Sequence, residues 1–279
     1  MKLGILNYAY TRYGFEEGMK KHKEHGYDTV DFQAFVSTDK GLLVLPEHEM
    51  EREAKERAKL LTAYGAEISQ THGPWRYPVD DSPAELPKRL EFFKKAVRGT
   101  AYVGAPNLVI HCVMPFGADT DEGREEMLSL NEEFIGAVCD EAREYGVTVC
   151  LENLPFPNLP LAHVKSVTDF VRRMRHDSLK VCLDTGHSII TGEEIGDAVR
   201  YIGNDLRALH VHDNMGDKDA HLLPGEGILN FEAFAKALHE VGFNGAFSYE
   251  THVRSGYTPE EQDARERALA ELGRRLITA

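Results

Sequence analysis

Four short runs of this chain each break off at a side chain that can bind a cation or move a proton: VTVCLEN at Glu152, LKVCLDTGH at Asp184 and His187, RALHVHDN at His210 and His212, and AFSYETH at Glu250. Each run is apolar or β-branched before that point, as a strand buried on both faces must be. The quartet Glu152, Asp184, His210 and Glu250 offers oxygen and nitrogen donors and no thiolate. That donor set suits a hard or borderline divalent ion: Mn2+, Mg2+, Co2+ or Zn2+. Buried without Lys or Arg partners, four such groups carry a heavy desolvation penalty, so their placement at consecutive strand ends points to a shared cation.

Parity along the same runs supports this. Side chains alternate faces along a strand, so the residue two before each candidate ligand shares its face: Cys150, Cys182, Ala208 and Ser248. All four are small. A closed barrel needs small residues where its bore narrows beneath a ligand cluster, because large ones would overfill it.

The elements that deliver these side chains alternate along the chain. KLGILNY reads as a strand and FEEGMKKHKEHGY as an amphipathic helix closing at Gly26; DTVDFQAF is a second strand, ending near Asp31 and Gln33. PEHEMEREAKERAKLLTAYG is a helix with Pro46 early, an acidic first turn and a stop at Gly65. EISQTHGPW is a third strand ending at His72. PAELPKRLEFFKKAVRGTAYVG then leads into NLVIHCVMP, a fourth strand ending at His111. In the second half, helices at EGREEMLSLNEEFIGAVCDEAREYG, SVTDFVRRMRH, GEEIGDAVRYIG and FEAFAKALHEVG precede the Glu152, Asp184, His210 and Glu250 strands, and PEEQDARERALAELGRRLITA closes the chain. Eight strands and eight helices in alternation predict an α/β fold, a single-domain (β/α)8 TIM barrel over residues 1–279. Its strand C-termini share one face, where His72, His111, Glu152, Asp184, His210 and Glu250 gather. A doubly wound open sheet is the alternative, but no GxGxxG or P-loop accompanies it.

Composition narrows the function classes. With 42% hydrophobic and 28% charged residues the chain reads as soluble and globular, and no run of ~18 apolar residues could span a bilayer. MKLGILNYAY lacks a signal-peptide pattern, so a cytoplasmic location without membrane partners is expected. Cys112, Cys139, Cys150 and Cys182 have no CxxC spacing and read as reduced core thiols. The net charge of -14 supplies no basic footprint for nucleic acid. It does not exclude a small neutral or metal-chelated substrate, since a bound cation reverses the local field. Homo-oligomer formation is left open.

The segments LEN, CLDTGH, HVHDN, DAHLLPGEG and YE, in this order, resemble the xylose-isomerase-like barrel superfamily of sugar isomerases and epimerases. The ligand order is similar to that of ketose 3-epimerases. The resemblance implies that Glu152, Asp184, His210 and Glu250 hold one divalent ion, that Glu152 and Glu250 also act as the acid/base pair, and that His187 touches substrate hydroxyls. Endonuclease IV shares the barrel and more of the histidines; by that likeness His72, His111, His187, Asp219 and His221 are additional metal ligands. The arginine with which the family anchors substrate oxygens has only Lys218 as a loose substitute here.

Chemistry gives the two carboxylates a reason. Moving a proton at a carbon beside a carbonyl needs one base to remove it and one acid to return it, while a metal stabilises the intervening ene-diolate. His212, on the same face as His210 and nearer the mouth, reads as a supporting or substrate group. His221 lies on a loop expected to fold over the mouth, with Gly225 and Gly227 allowing a tight turn. Tyr8, Phe32, Trp75 and Phe156 are candidate walls for a sugar ring, or ordinary packing beneath the loops. The expectation is a metal-dependent sugar isomerase or epimerase acting on an unphosphorylated or small acidic sugar by proton transfer through an ene-diolate. The alternatives are an endonuclease IV-like phosphodiesterase, a metal-dependent lyase on the same barrel, and a barrel that binds metal without catalysis.

Overall fold

The computed structural model describes residues 1–279 apart from 77, 118, 119, 121, 122 and 279. Strands and helices alternate as β1 (Lys2–Leu6), α1 (Phe15–Glu24), β2 (Thr29–Phe32), α2 (Glu47–Ala63), β3 (Glu67–His72), α3 (Leu86–Tyr102), β4 (Asn107–Ile110), α4 (Arg124–Tyr145) and β5 (Thr148–Glu152). They continue as α5 (Val164–Met174), β6 (Leu179–Asp184), α6 (Thr185–Ile190), α7 (Ile195–Ile202), β7 (Leu206–His210), α8 (Phe231–Glu240), β8 (Ala246–Tyr249) and α9 (Pro259–Thr278). The eight strands pair in parallel in the order β7-β6-β5-β4-β3-β2-β1-β8. Closure between β7 and β8 runs through a parallel bridge at Val211 and Tyr249, with Val211 N–H donating to Ser248 O and Glu250 N–H to Val211 O. The molecule is the expected (β/α)8 barrel.

Local chemistry explains the element ends. α4 stops at Gly146, whose φ of 67° is the left-handed cap that Gly adopts without a Cβ clash. α7 starts where the Glu194 side chain accepts from Asp197 N–H, and α8 where Asn230 accepts from Ala233 N–H. Two predicted boundaries, Glu122 at the start of the fourth helix and Ala279 at the end of the last, lie outside the described residues.

Two packing layers matter for the site. Most buried apolar side chains lie between strands and helices, while Val109, Cys150, Cys182 and Ala208 form a separate small cluster inside the bore. Ser248 is buried as well. The residues two before the candidate ligands therefore do floor the barrel as parity requires. α6 departs from expectation: His187, expected on a loop, sits in the first turn of this short helix, which is additional to the eight expected. Asp184 closes β6 and caps α6 at once, its side chain accepting from His187 N–H, so no loop is needed between strand and helix.

Candidate metal centre

His210 is the hub of one half of the site. It ends β7, is fully buried, and has a carboxylate at each ring nitrogen. Nδ1 lies 3.0 Å from Glu152 Oε1 and 3.4 Å from Glu250 Oε2, while Nε2 lies 3.0 Å from Asp31 Oδ2. Glu152 ends β5 and Glu250 follows β8 by one residue. The other oxygen of Glu152 faces His111 Nε2 at 3.0 Å and His72 Nε2 at 3.5 Å. The His72 ring stacks parallel to His210, and Trp75 meets His111 edge to face at 4.9 Å.

Asp184 is the hub of the other half. Its Oδ1 accepts from His187 N–H at 2.7 Å and its Oδ2 lies 3.0 Å from His212 Nε2. His187 Nδ1–H donates to Asn153 O, and its Nε2 reaches Asp219 Oδ2 at 3.3 Å. The same Asp219 oxygen lies 3.2 Å from His221 Nε2. Gly186 makes this half possible, because a Cβ there would sit 1.9 Å from His212 Cε1.

The loop between β7 and α8 carries Asp219 and His221, and Asp213 holds it. The buried Asp213 carboxylate accepts from the backbone N–H groups of Asn214, Gly225, Gly227 and Leu229. Asp213 and Leu222 also exchange both backbone hydrogen bonds. At Gly227 an added Cβ would lie 2.3 Å from Asn214 O, so the turn admits only glycine.

These groups open onto a cleft of about 350 Å3. Trp75, Leu154 and Phe156 form apolar walls over His72, His111, Glu152, His187, Asp219, His221 and Glu250. Neither Lys nor Arg occurs among the described residues lining it. Of the other sequence candidates, Lys218 is exposed and lines no part of the cleft, while His212 is buried beneath His221. Phe32 packs against Phe35 in the core, and Tyr8 is 43% exposed outside the lining.

Among the described residues lining the cleft, charge is carried by carboxylates and imidazoles. Burial would raise Glu152, but His210 and His111 outweigh it and hold that carboxyl well below its ordinary range. Glu250 goes the other way: burial, with repulsion from Glu152 and Asp184, raises it against the pull of His210. Burial would lower His187, yet Asp184, Asp219 and Glu152 push it up to about 10. His221 is likewise pushed up to about 9, against burial, by Asp219 and Glu250.

The donor set fits a divalent cation. Ligand-type atoms lie within 4.8 Å of one another in the groups His72–His210–Glu250, His72–His111–Glu152, Asp184–His187–His212 and His212–Asp219–His221. Oxygen and imidazole nitrogen predominate, as hard and borderline ions prefer. Cys182 also approaches Glu152 and His210 from the small buried cluster beneath them, and burial raises its thiol well above the usual range.

The model of one protein family, the xylose isomerase-like TIM barrel, matches residues 19–272 of this chain. The chain belongs to that family. A D-psicose 3-epimerase from Ruminiclostridium cellulolyticum is 35% identical over 127 residues, which span 45% of this chain and 42% of that relative. A crystal structure of D-psicose 3-epimerase with D-tagatose from Clostridium cellulolyticum H10 superposes with a TM-score of 0.79 at 21% identity, covering 99% of both chains. The structure of the IOLI protein with a bound zinc atom matches with a TM-score of 0.75 at 18% identity, over 100% of this chain and 98% of that one. At such identities the two structural likenesses establish the barrel.

Sequence reasoning left three positioning residues without a role in this family member. Asp31 was visible only as the end of β2, Asn153 only as part of LEN, and Asp213 only as part of HVHDN. Asn153 locks β5 to β6: its Oδ1 accepts from Asp184 N–H and its Nδ2 donates to Asp184 O. No helix of the described residues is long and apolar enough to cross a membrane.

Proposed function

We propose that this protein is a divalent-metal-dependent sugar epimerase or isomerase that moves a proton at a carbon beside a carbonyl, through an ene-diolate. One observation carries this reading: Glu152 and Glu250 flank the same imidazole nitrogen of His210 beneath a cleft with apolar walls and, among the described residues lining it, neither Lys nor Arg. Glu152, Asp184, His210 and Glu250 would hold the cation. Bound there, it would stabilise negative charge developing on the substrate oxygens.

The chain's own residues supply the rest. Glu152 and Glu250 stand on either side of His210 Nδ1, so one carboxylate is placed to take the proton and the other, or the same one, to return it. His187 and His221 line the cleft beside Asp219, where sugar hydroxyls would lie, and Trp75 and Phe156 would exclude water from the ring faces. With no Lys or Arg among the described lining residues to grip a phosphate, the site favours an unphosphorylated sugar. Four buried free cysteines accord with a reducing, cytoplasmic setting. D-Psicose, D-tagatose and D-fructose, incubated with metal-loaded protein in heavy water, test the reading; absence of both turnover and label with these and related free ketoses overturns it.

A second reading, a multi-metal phosphodiesterase, draws on the clustering of His72 and His111 on Glu152 and of His187 and His221 on Asp219. The net charge of -14 and the lack of Lys or Arg among the described lining residues rank it below the first.

A further inference from the structure

Asp31 has no part in the ligand quartet, yet its carboxylate is held by three side chains. It is fully buried on β2, and its Oδ2 lies 3.0 Å from His210 Nε2 on the far side of the bore. Two amides hold it in place. Gln70 Nε2 donates to Oδ2 at 2.8 Å and Gln33 Nε2 donates to Oδ1 at 2.9 Å. Gln70 Nε2 also reaches Leu209 O at 3.2 Å, so the same side chain ties the Asp31 carboxylate to the backbone beside His210.

The backbone is adjusted to allow this. Along β2 and β3, Val30 pairs with Ile68 but Asp31 pairs with Gln70, a register shift that skips Ser69. Bulges of this kind re-aim side chains beside functional sites. Here the shift sets Asp31 opposite Gln70, the residue that holds it.

An imidazole that donates one N–H to a carboxylate presents the other nitrogen as a lone pair. With Nε2–H given to Asp31, the nitrogen of His210 that faces Glu152 and Glu250 is Nδ1. We infer that Asp31 is a positioning residue that fixes the orientation and tautomer of His210, and so sets the affinity of the site for its cation through Nδ1. This inference rests on the reading that His210 is a metal ligand. Removing such an outer partner lowers metal affinity by roughly 10- to 100-fold in comparable sites.

Co2+ serves as the probe, with affinity read by equilibrium dialysis and ligand geometry by its visible absorption bands. Wild type, Asp31→Asn, His210→Ala and the double variant are compared, each checked for folding by circular dichroism. Asp31→Asn is expected to weaken Co2+ binding roughly 10- to 100-fold and to shift the bands. In the His210→Ala background, read at Co2+ concentrations high enough to fill its weakened site, the same substitution is expected to add less than about twofold, because Asp31 then has nothing to act through. Co2+ binding by Asp31→Asn within about twofold of wild type, or losses that multiply in the double variant, overturn the inference while leaving the metal site standing. If Asp31→Asn does not fold, Gln70→Leu carries the test: it keeps the carboxylate but frees it, and several-fold weaker binding is expected, with wild-type affinity overturning the inference. Wild type that takes up no Co2+ removes the proposed function and this inference together.

Discussion

His221 lies flat over His212, ring centroids 4.1 Å apart and planes 17° from parallel, although its own backbone takes the left-handed φ of 45°. A non-glycine residue holds that conformation only when its surroundings fix it. Thr251 Oγ1 donates to His221 O, Arg254 donates to Ala220 O, and the Asp213 carboxylate gathers four backbone N–H groups of the same loop and its base. The stack is thus imposed by the loop and delivers Asp219 and His221 to the rim.

Asp213→Ala should therefore unfasten the loop. Four N–H groups lose a charged acceptor, for an expected destabilisation of about 2–4 kcal/mol after water replaces part of what is lost. Amide hydrogen exchange at Gly225, Gly227 and Leu229 should speed up while strands β5 and β6 keep their protection. Unchanged exchange at those three amides would sink the role given to Asp213.

The metal reading makes a direct prediction. Purified protein should hold about one tightly bound divalent ion per chain by elemental analysis, and Asp184→Asn or His210→Ala should release it. Full retention by both variants removes the quartet as a site. About three ions per chain, falling when His72, His111 or His221 is replaced, would shift preference to the phosphodiesterase.

A stability measurement away from the cleft tests the electrostatics. His22 is buried, and burial pushes its imidazole down to about 4 from 6.5 even though Nε2–H donates to Thr29 O. Between those two values the unfolded chain binds a proton that the folded chain refuses. Stability is therefore fully present above about pH 6.5 and falls as pH drops toward 4, by on the order of 3 kcal/mol from this group. Denaturant melts at pH 7.5 and 4.5 should show a smaller loss for His22→Gln than for wild type. Equal losses would show that His22 does not titrate this way.

How much of this was legible follows from where each partner lies in sequence. Glu152, Asp184 and His210 each end an apolar run, and Cys150, Cys182 and Ala208 share their faces, so strand period alone located them. Asp31 escaped because its partner His210 is 179 residues away, and the β2–β3 register shift that aims it leaves no mark in composition. Asp213 escaped for another reason: its partners are backbone N–H groups, which every sequence has. α6 was hidden because Asp184 is strand end, ligand candidate and helix cap together, and only the last role starts a helix.

Proton transfer is the step on which the proposed function stands or falls. A proton taken by one carboxylate and returned by another, or by the same one, exchanges at least partly with solvent. A ketose turned over in heavy water should thus gain deuterium at the carbon that epimerises or isomerises. Glu152→Gln and Glu250→Gln should each abolish turnover and labelling, with a loss on the order of 10²- to 10⁴-fold if the carboxylate moves the proton, and more where the cation is lost too. Metal content measured in each variant separates those two causes. Conversion of a good substrate without solvent deuterium would discard the ene-diolate in favour of a hydride shift between carbons. If both Gln variants keep their metal and near-normal turnover, Glu152 and Glu250 are ligands only, and the base is to be sought in His187 or His221, which line the cleft.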